Sequence, residues 1–316
     1  MTGSLFDPSP SFNRAKLAES LAALAHDGVF VGASSWKYEG WLGQIYSEAS
    51  YRSRGRFSKK LFEAECLREY AGTFPTVCGD FAFYQFPAKE FWEKLFAKTP
   101  PGFRFAFKVP EQITCKMFPN HARYGAQAGV ANPAFLDAAL LEESLLKPLD
   151  PYRDKTAVLI LEFGRFSPGS FPDVGAFLER LDPFLESLPP RFRYAVEVRN
   201  AHFLAPAYFD CLRSRRVAHV FNAWSRMPEL HRQIDLPGAV TADFVVARGL
   251  LRYGRPYEKA VAEFSPYTEI RDSNPEARES LRKIIQRSRE QRREAYVYVN
   301  NRLEGNAPLT IEAILE

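Results

Sequence analysis

The chain has few of the residues that build metal centres and disulfide frameworks. Five histidines and four cysteines are scattered through its 316 residues. No Cys-x-x-Cys pair and no His-Glu-x-x-His spacing occurs, so the sequence offers no ready-made zinc site. Cys66, Cys78, Cys115 and Cys211 are widely spaced. That usage implies reduced thiols rather than a disulfide framework, and with it a cytoplasmic location. Long apolar runs are lacking too. None approaches the roughly 18 residues of a membrane span, and the first residues, MTGSLFDPSPSFNRAK, hold no apolar export signal. A large surplus of one charge is missing: the net charge of +4 permits anionic ligands without demanding nucleic acid. With no internal repeat, low-complexity tract or linker, the simplest organisation is one domain over residues 1–316. Its Ser- and Pro-rich residues 1–12 are expected to fray.

What the chain does have is eight short apolar runs, nearly all ending in a charged or amide residue. They are VFVGASS, TVCGDFAF, RFAFKVP, AVLILEF, YAVEVRN, AHVFNA, DFVVARG and YVYVNN. Helical patterns separate them: residues 58–72, 88–98, 133–147, 173–188, 206–214 and 274–294, with a last helix from Asn306. Pro133 and Pro206 suit first-turn positions. The alternation predicts an α/β chain folded as a (β/α)8 TIM-type barrel, with long loops after strands 1, 3 and 7. Such barrels place their chemistry at the C-terminal rim of the strands.

Side chains alternate between the two faces of a strand. That parity puts Glu197 and Arg199 on one face, Glu162 in line with Val158 and Ile160, Lys108 with Ala106, Asp80 with Cys78, and Asn300 with Tyr298. Arg248 ends the seventh strand. Buried charge is costly unless paired, so this convergence at one rim points to a site. The alternative is an ion network that only fills the barrel.

Several chemistries fit. Glu162 and Glu197, on neighbouring strands, can form an acid/base pair, since adjacent carboxylates push one pKa up. Lys108 can serve as an electrophile or a Schiff-base lysine, and anion or hydroxyl binding suits it better because glutamates lie near. The last two connections combine Gly with Arg248, Arg252, Arg255 and Arg302, and Asn306 can cap a following helix, the ingredients of a phosphate cradle. Trp36, Tyr38, Trp41, Tyr46 and Tyr84 can stack on sugars or bases, or pack together as a plug. The basic helix 274–294 reads as a solvated face, with Glu279 placed to pair with Lys283.

Five segments together resemble the YecE-like family, domain of unknown function 72: SSWKYEGWLGQIY, FPTVCGDFAFYQFP, FRFAFKVPEQIT, AVEVRNAHF and YVYVNNRLEGNAP. The resemblance implies a TIM-type barrel and a pocket containing Trp36, Tyr38, Trp41, Tyr84, Lys108, Glu197, Arg199, Arg248, Asn300 and Asn301. It implies no particular reaction. The chain departs from the family's usual residues at Cys78, Asp80, Cys115, Glu162 and Leu250.

The expectation is an enzyme of hydrolase, lyase or isomerase type, with Glu197, Glu162 and Lys108 as catalytic residues. Trp36, Tyr38, Trp41, Asp80, Tyr84, Arg199, Arg248, Asn300 and Asn301 would bind a phosphorylated or polyhydroxylated small molecule, with neither metal nor other cofactor. The alternatives are a nucleic-acid binding or processing protein and a catalytically silent ligand-binding barrel.

Overall fold

Eight parallel strands close into a barrel in the computed structural model, which describes residues 12–316. The strands are β1 (Val29–Ala33), β2 (Thr76–Gly79), β3 (Arg104–Lys108), β4 (Thr156–Glu162), β5 (Tyr194–Glu197), β6 (Ala218–Ala223), β7 (Phe244–Gly249) and β8 (Glu294–Val299). Each pairs with its neighbours in sequence, and β8 closes on β1. The expected frayed segment lies outside the described residues except for Phe12, which packs against the core.

Strand parity holds at atomic detail. Phe30, Cys78, Ala106, Val158, Ile160, Ala195, Val220, Val246, Tyr296 and Tyr298 form an interior cluster of their own. The opposite set, with Phe105 and Phe107 on β3 and Val109 just after it, joins the larger core under the helices. Two apolar layers result, one inside the barrel and one around it, as a barrel requires.

The principal helices are α1 (Arg14–His26), α2 (Lys59–Ala71), α3 (Lys89–Phe96), α4 (Val174–Ser187), α5 (Pro206–Ser214), α6 (Pro275–Glu290) and α7 (Ala307–Leu315). Asn13, Ser58, Asp173, Asn274 and Asn306 cap five of them by accepting a first-turn N–H. Pro206 occupies the first turn of α5 as expected. Pro133 does not start a helix: residues 133–136 form turns, and Asp137 caps a helix that begins at Ala138. The side chain of Asn132 explains the delay. It donates to the carbonyls of Gln112 and Cys115, both at 2.7 Å, and ties this stretch to the excursion after β3. No described helix is long and apolar enough to cross a membrane.

The β1–β2 seam is held in an unusual way. Direct pairing there is limited to Ala33 with Val77. Tyr70 of α2 inserts its hydroxyl between the strands, accepting from the Ala33 N–H at 2.8 Å and donating to the Thr76 carbonyl at 3.0 Å. Gly32 allows the close approach, since a Cβ there would stand 2.0 Å from the Thr76 carbonyl oxygen.

Candidate functional site

The register brings the charged strand ends together. Glu162 is level with Glu197 across β4 and β5, and Arg248 lies between Asn222 and Tyr298. Three cations and two carboxylates meet at the C-terminal mouth. Lys108 Nζ is 3.2 Å from Glu162 Oε1, and Arg248 Nη1 is 2.6 Å from Glu162 Oε2. Arg199 Nη2 is 3.3 Å from Glu162 Oε2 and 2.5 Å from Glu197 Oε1. Arg248 also donates to Glu197.

The two glutamates are not equivalent. The Glu197 side chain is 0% exposed, sealed beneath both arginines, whereas that of Glu162 is 16% exposed. Burial alone would raise the Glu162 pKa, but Lys108, Arg199 and Arg248 together hold it well below the usual carboxylate range. Glu162 is thus ionised at neutral pH, which suits a proton acceptor rather than a donor. Cys78, one layer deeper in the barrel, is pushed up to about 11 by burial, against the pull of Arg248 and Lys108, and so stays a thiol.

Charge at this mouth is unbalanced, three positive against two negative. Several buried polar atoms here also lack a hydrogen-bond partner among the described residues: Ser34 Oγ, Arg199 Nη1, Asn222 Oδ1 and Arg248 Nε. Unpaired buried polar groups are rare in native folds, and each calls for an explanation. Two aromatic rings that sequence reasoning missed cover the cations. Phe83 lies 3.7 Å from Lys108 Nζ, and Trp224 lies 3.9 Å from the Arg199 guanidinium carbon. Phe83 belongs to a short helix, Phe81–Tyr84, where strand parity no longer applies. Trp224 directly follows β6 and was legible only as an aromatic at a strand end.

Other expected binding residues take different places. Trp36 and Trp41 are buried, and Trp41 stacks on Tyr46 and Tyr70. The loop after β1 therefore packs Trp41 into an aromatic plug that leaves it no face for a ligand, whereas Trp36 is buried but borders a cavity. Tyr38 is half-buried beside Trp41 and Tyr267, and burial pushes its hydroxyl up to about 12 despite nearby Arg302. Asn301 is internal: its Oδ1 accepts from Trp41 Nε1 at 3.2 Å and from the Ala307 N–H at 2.7 Å. Asn300 Oδ1 is likewise used, accepting from the Arg302 N–H. Asp80 is exposed at the head of the short helix and lines a separate cavity of about 300 Å3 with Ser35, Trp36 and Lys37. Tyr84 is 57% exposed and packs on Arg123, away from the charge cluster.

The helix start expected to cradle phosphate is already satisfied. Asn301 takes the Ala307 N–H, Pro308 has none, and Asn306 takes that of Leu309. Arg252 and Arg255 both pair with Asp272, while Arg302 lies against Tyr257. On α6, Glu279 pairs with Arg282 at 2.8 Å instead of the expected Lys283, and Arg287 and Arg289 pair with Asp235 and Asp27. Glu304, which sequence reasoning also missed, is buried and paired with Arg278 of α6. Among the described residues no three His, Cys, Asp or Glu side chains group closely enough to hold a metal ion.

Solved structures share this architecture. A DUF72 family protein from Thermotoga maritima is 19% identical, with a TM-score of 0.59 over 90% of this chain and 97% of that one. A DUF72 family protein from Enterococcus faecalis is 17% identical, with a TM-score of 0.56 over 91% of this chain and 95% of that one. At these identities the likeness concerns the fold. No curated protein matches the chain. The model of the family described as protein of unknown function DUF72 matches residues 30–316, and with nearly the whole barrel covered the chain belongs to that family.

Proposed function

We propose that this barrel is an enzyme that binds a small anionic molecule, phosphorylated or polyhydroxylated, at the mouth formed by Lys108, Glu162, Arg199 and Arg248. The observation that carries this reading is the imbalance of three cations against two carboxylates, with Arg199 Nη1 buried and unpartnered among the described residues. Uncompensated buried charge is expensive, and an anion from solvent would offset it. Glu162 is the carboxylate that solvent can reach, so it is the residue to accept a proton from the ligand. Glu197 would position Arg199 and Arg248, and Lys108 would stabilise negative charge as it develops. Proton transfer to a carboxylate can open hydrolase, lyase or isomerase chemistry.

The same ion pairs favour a second reading. Three cations make Glu162 a weak base, which suits a barrel that binds without turnover.

Inorganic phosphate, sugar phosphates and sugar acids should raise the melting temperature, because a ligand that binds only the native state stabilises it by mass action. Lys108→Met, which removes the excess positive charge, should abolish most of that rise. Arg289→Ala, on the outer face of α6, should not. If no anion protects the parent, or both variants lose protection equally, the anion reading fails. Ligand recovered unchanged after prolonged incubation with every protecting compound would leave the binding barrel.

A further inference from the structure

A second cavity, of about 550 Å3, opens between the loops that leave β2 and β3. That volume lies in the range of small-molecule sites. Its walls do not include Lys108, Glu162, Arg199 or Arg248, and its link to them runs along the chain. Tyr84 follows Phe83, the ring that covers Lys108, and Glu111 lies three residues beyond Lys108.

Three features define its chemistry. First, it is electrically balanced. Arg123 is 2.8 Å from Glu111, and the same carboxylate accepts from Tyr124 Oη at 2.7 Å. An anion gains nothing here, in contrast to the barrel mouth. Second, the exposed amides of Gln85, Gln112 and Gln127 line it and have no hydrogen-bond partner among the described residues. Each offers a donor and an acceptor. Third, the guanidinium of Arg123 packs on both Tyr84 and Tyr124, at 4.9 and 4.5 Å from their ring centres. The slot between the two rings is therefore filled, and a planar base cannot be sandwiched there. Only an outer ring face remains, as on the exposed Tyr84, and it suits a ligand with one apolar side.

We propose that this cavity is a subsite for a neutral sugar ring. The C–H face of the ring would rest on Tyr84, and its hydroxyls, which both donate and accept, would pair with the glutamine amides. The subsite stands on its own geometry.

Saturation-transfer NMR with glucose, galactose and ribose tests this directly, with adenosine as a parallel probe. At least one of the three sugars should receive saturation from the parent protein. Tyr84→Ala and the double variant Gln112→Ala/Gln127→Ala should each weaken binding at least fivefold. These residues are exposed, so both variants should fold, as circular dichroism would verify. The double variant should keep whatever protection phosphate gives the parent, which separates failure here from failure at the mouth. No transfer to any of the three sugars, transfer that both variants leave intact, or adenosine bound through its base in preference to the sugars would overturn the proposal.

Discussion

At the residue scale, Glu197 is the position where structure and charge are most tightly bound together. It is fully buried and bridges Arg199 and Arg248. Removing its charge leaves two guanidinium groups compensated by Glu162 alone. Glu197→Gln should therefore cost about 3–5 kcal/mol of stability, the range for breaking a buried pair, read as a lower urea midpoint. An unchanged midpoint would mean that the arginines find other partners. The sequence placed Glu197 and Arg199 on one face by parity. It could not show that Arg248, from β7 two strands away, completes the bridge.

At the element scale, the seam between β1 and β2 depends on a side chain from a helix. Tyr70→Phe keeps the ring but removes the hydroxyl that joins the Ala33 N–H to the Thr76 carbonyl. Two buried backbone groups lose their partner, at a cost of about 1–3 kcal/mol for each such group. A drop in melting temperature with unchanged far-ultraviolet circular dichroism should follow, and faster amide exchange at Ala33 would locate the effect. Gly32→Ala should be worse tolerated, because its Cβ would press on backbone rather than on a movable side chain. The helices were largely legible through their caps and apolar spacing. The turns at 133–136 were not, because the side-chain hydrogen bonds of Asn132 to residues 112 and 115 outweigh the local preference of Pro133 for a helix start.

At the scale of the whole molecule, pH should act in two windows. His219 is buried against Tyr208 and Phe209, its Nδ1 3.2 Å from Tyr208 Oη. Burial lowers its pKa to about 3, against about 6.5 in an unfolded chain. The unfolded state thus takes up a proton that the folded state refuses. The stability this histidine contributes is complete above about pH 6.5 and falls as pH drops toward 3. Glu162 also has a depressed folded pKa, so its contribution is present above the unfolded value of about 4.3 and is lost only below it. His219→Gln should flatten the fall in melting temperature between pH 6.5 and 4.5, and Glu162→Gln the fall below pH 4.5. Identical profiles for His219→Gln and the parent would show that the imidazole is protonated in the folded protein.

What the sequence determined by itself is the barrel and the composition of its mouth. Apolar runs with period-two parity, separated by capped helices, leave few other ways to bury both strand faces. The same parity carries Lys108, Glu162 and Glu197 to one rim. Tertiary structure decided which polar groups remain available there. Trp41 and Asn301 look like ligand-binding residues in the sequence, yet the Trp41 ring is spent on a plug and Asn301 Oδ1 on the Trp41 indole and the first turn of α7, since buried rings and N–H groups need partners wherever they fall. Phe83 and Trp224 lie over cations far from them in sequence. The excess positive charge at the mouth is likewise a property of five side chains from four strand ends, and it exists only once barrel closure takes them out of water together.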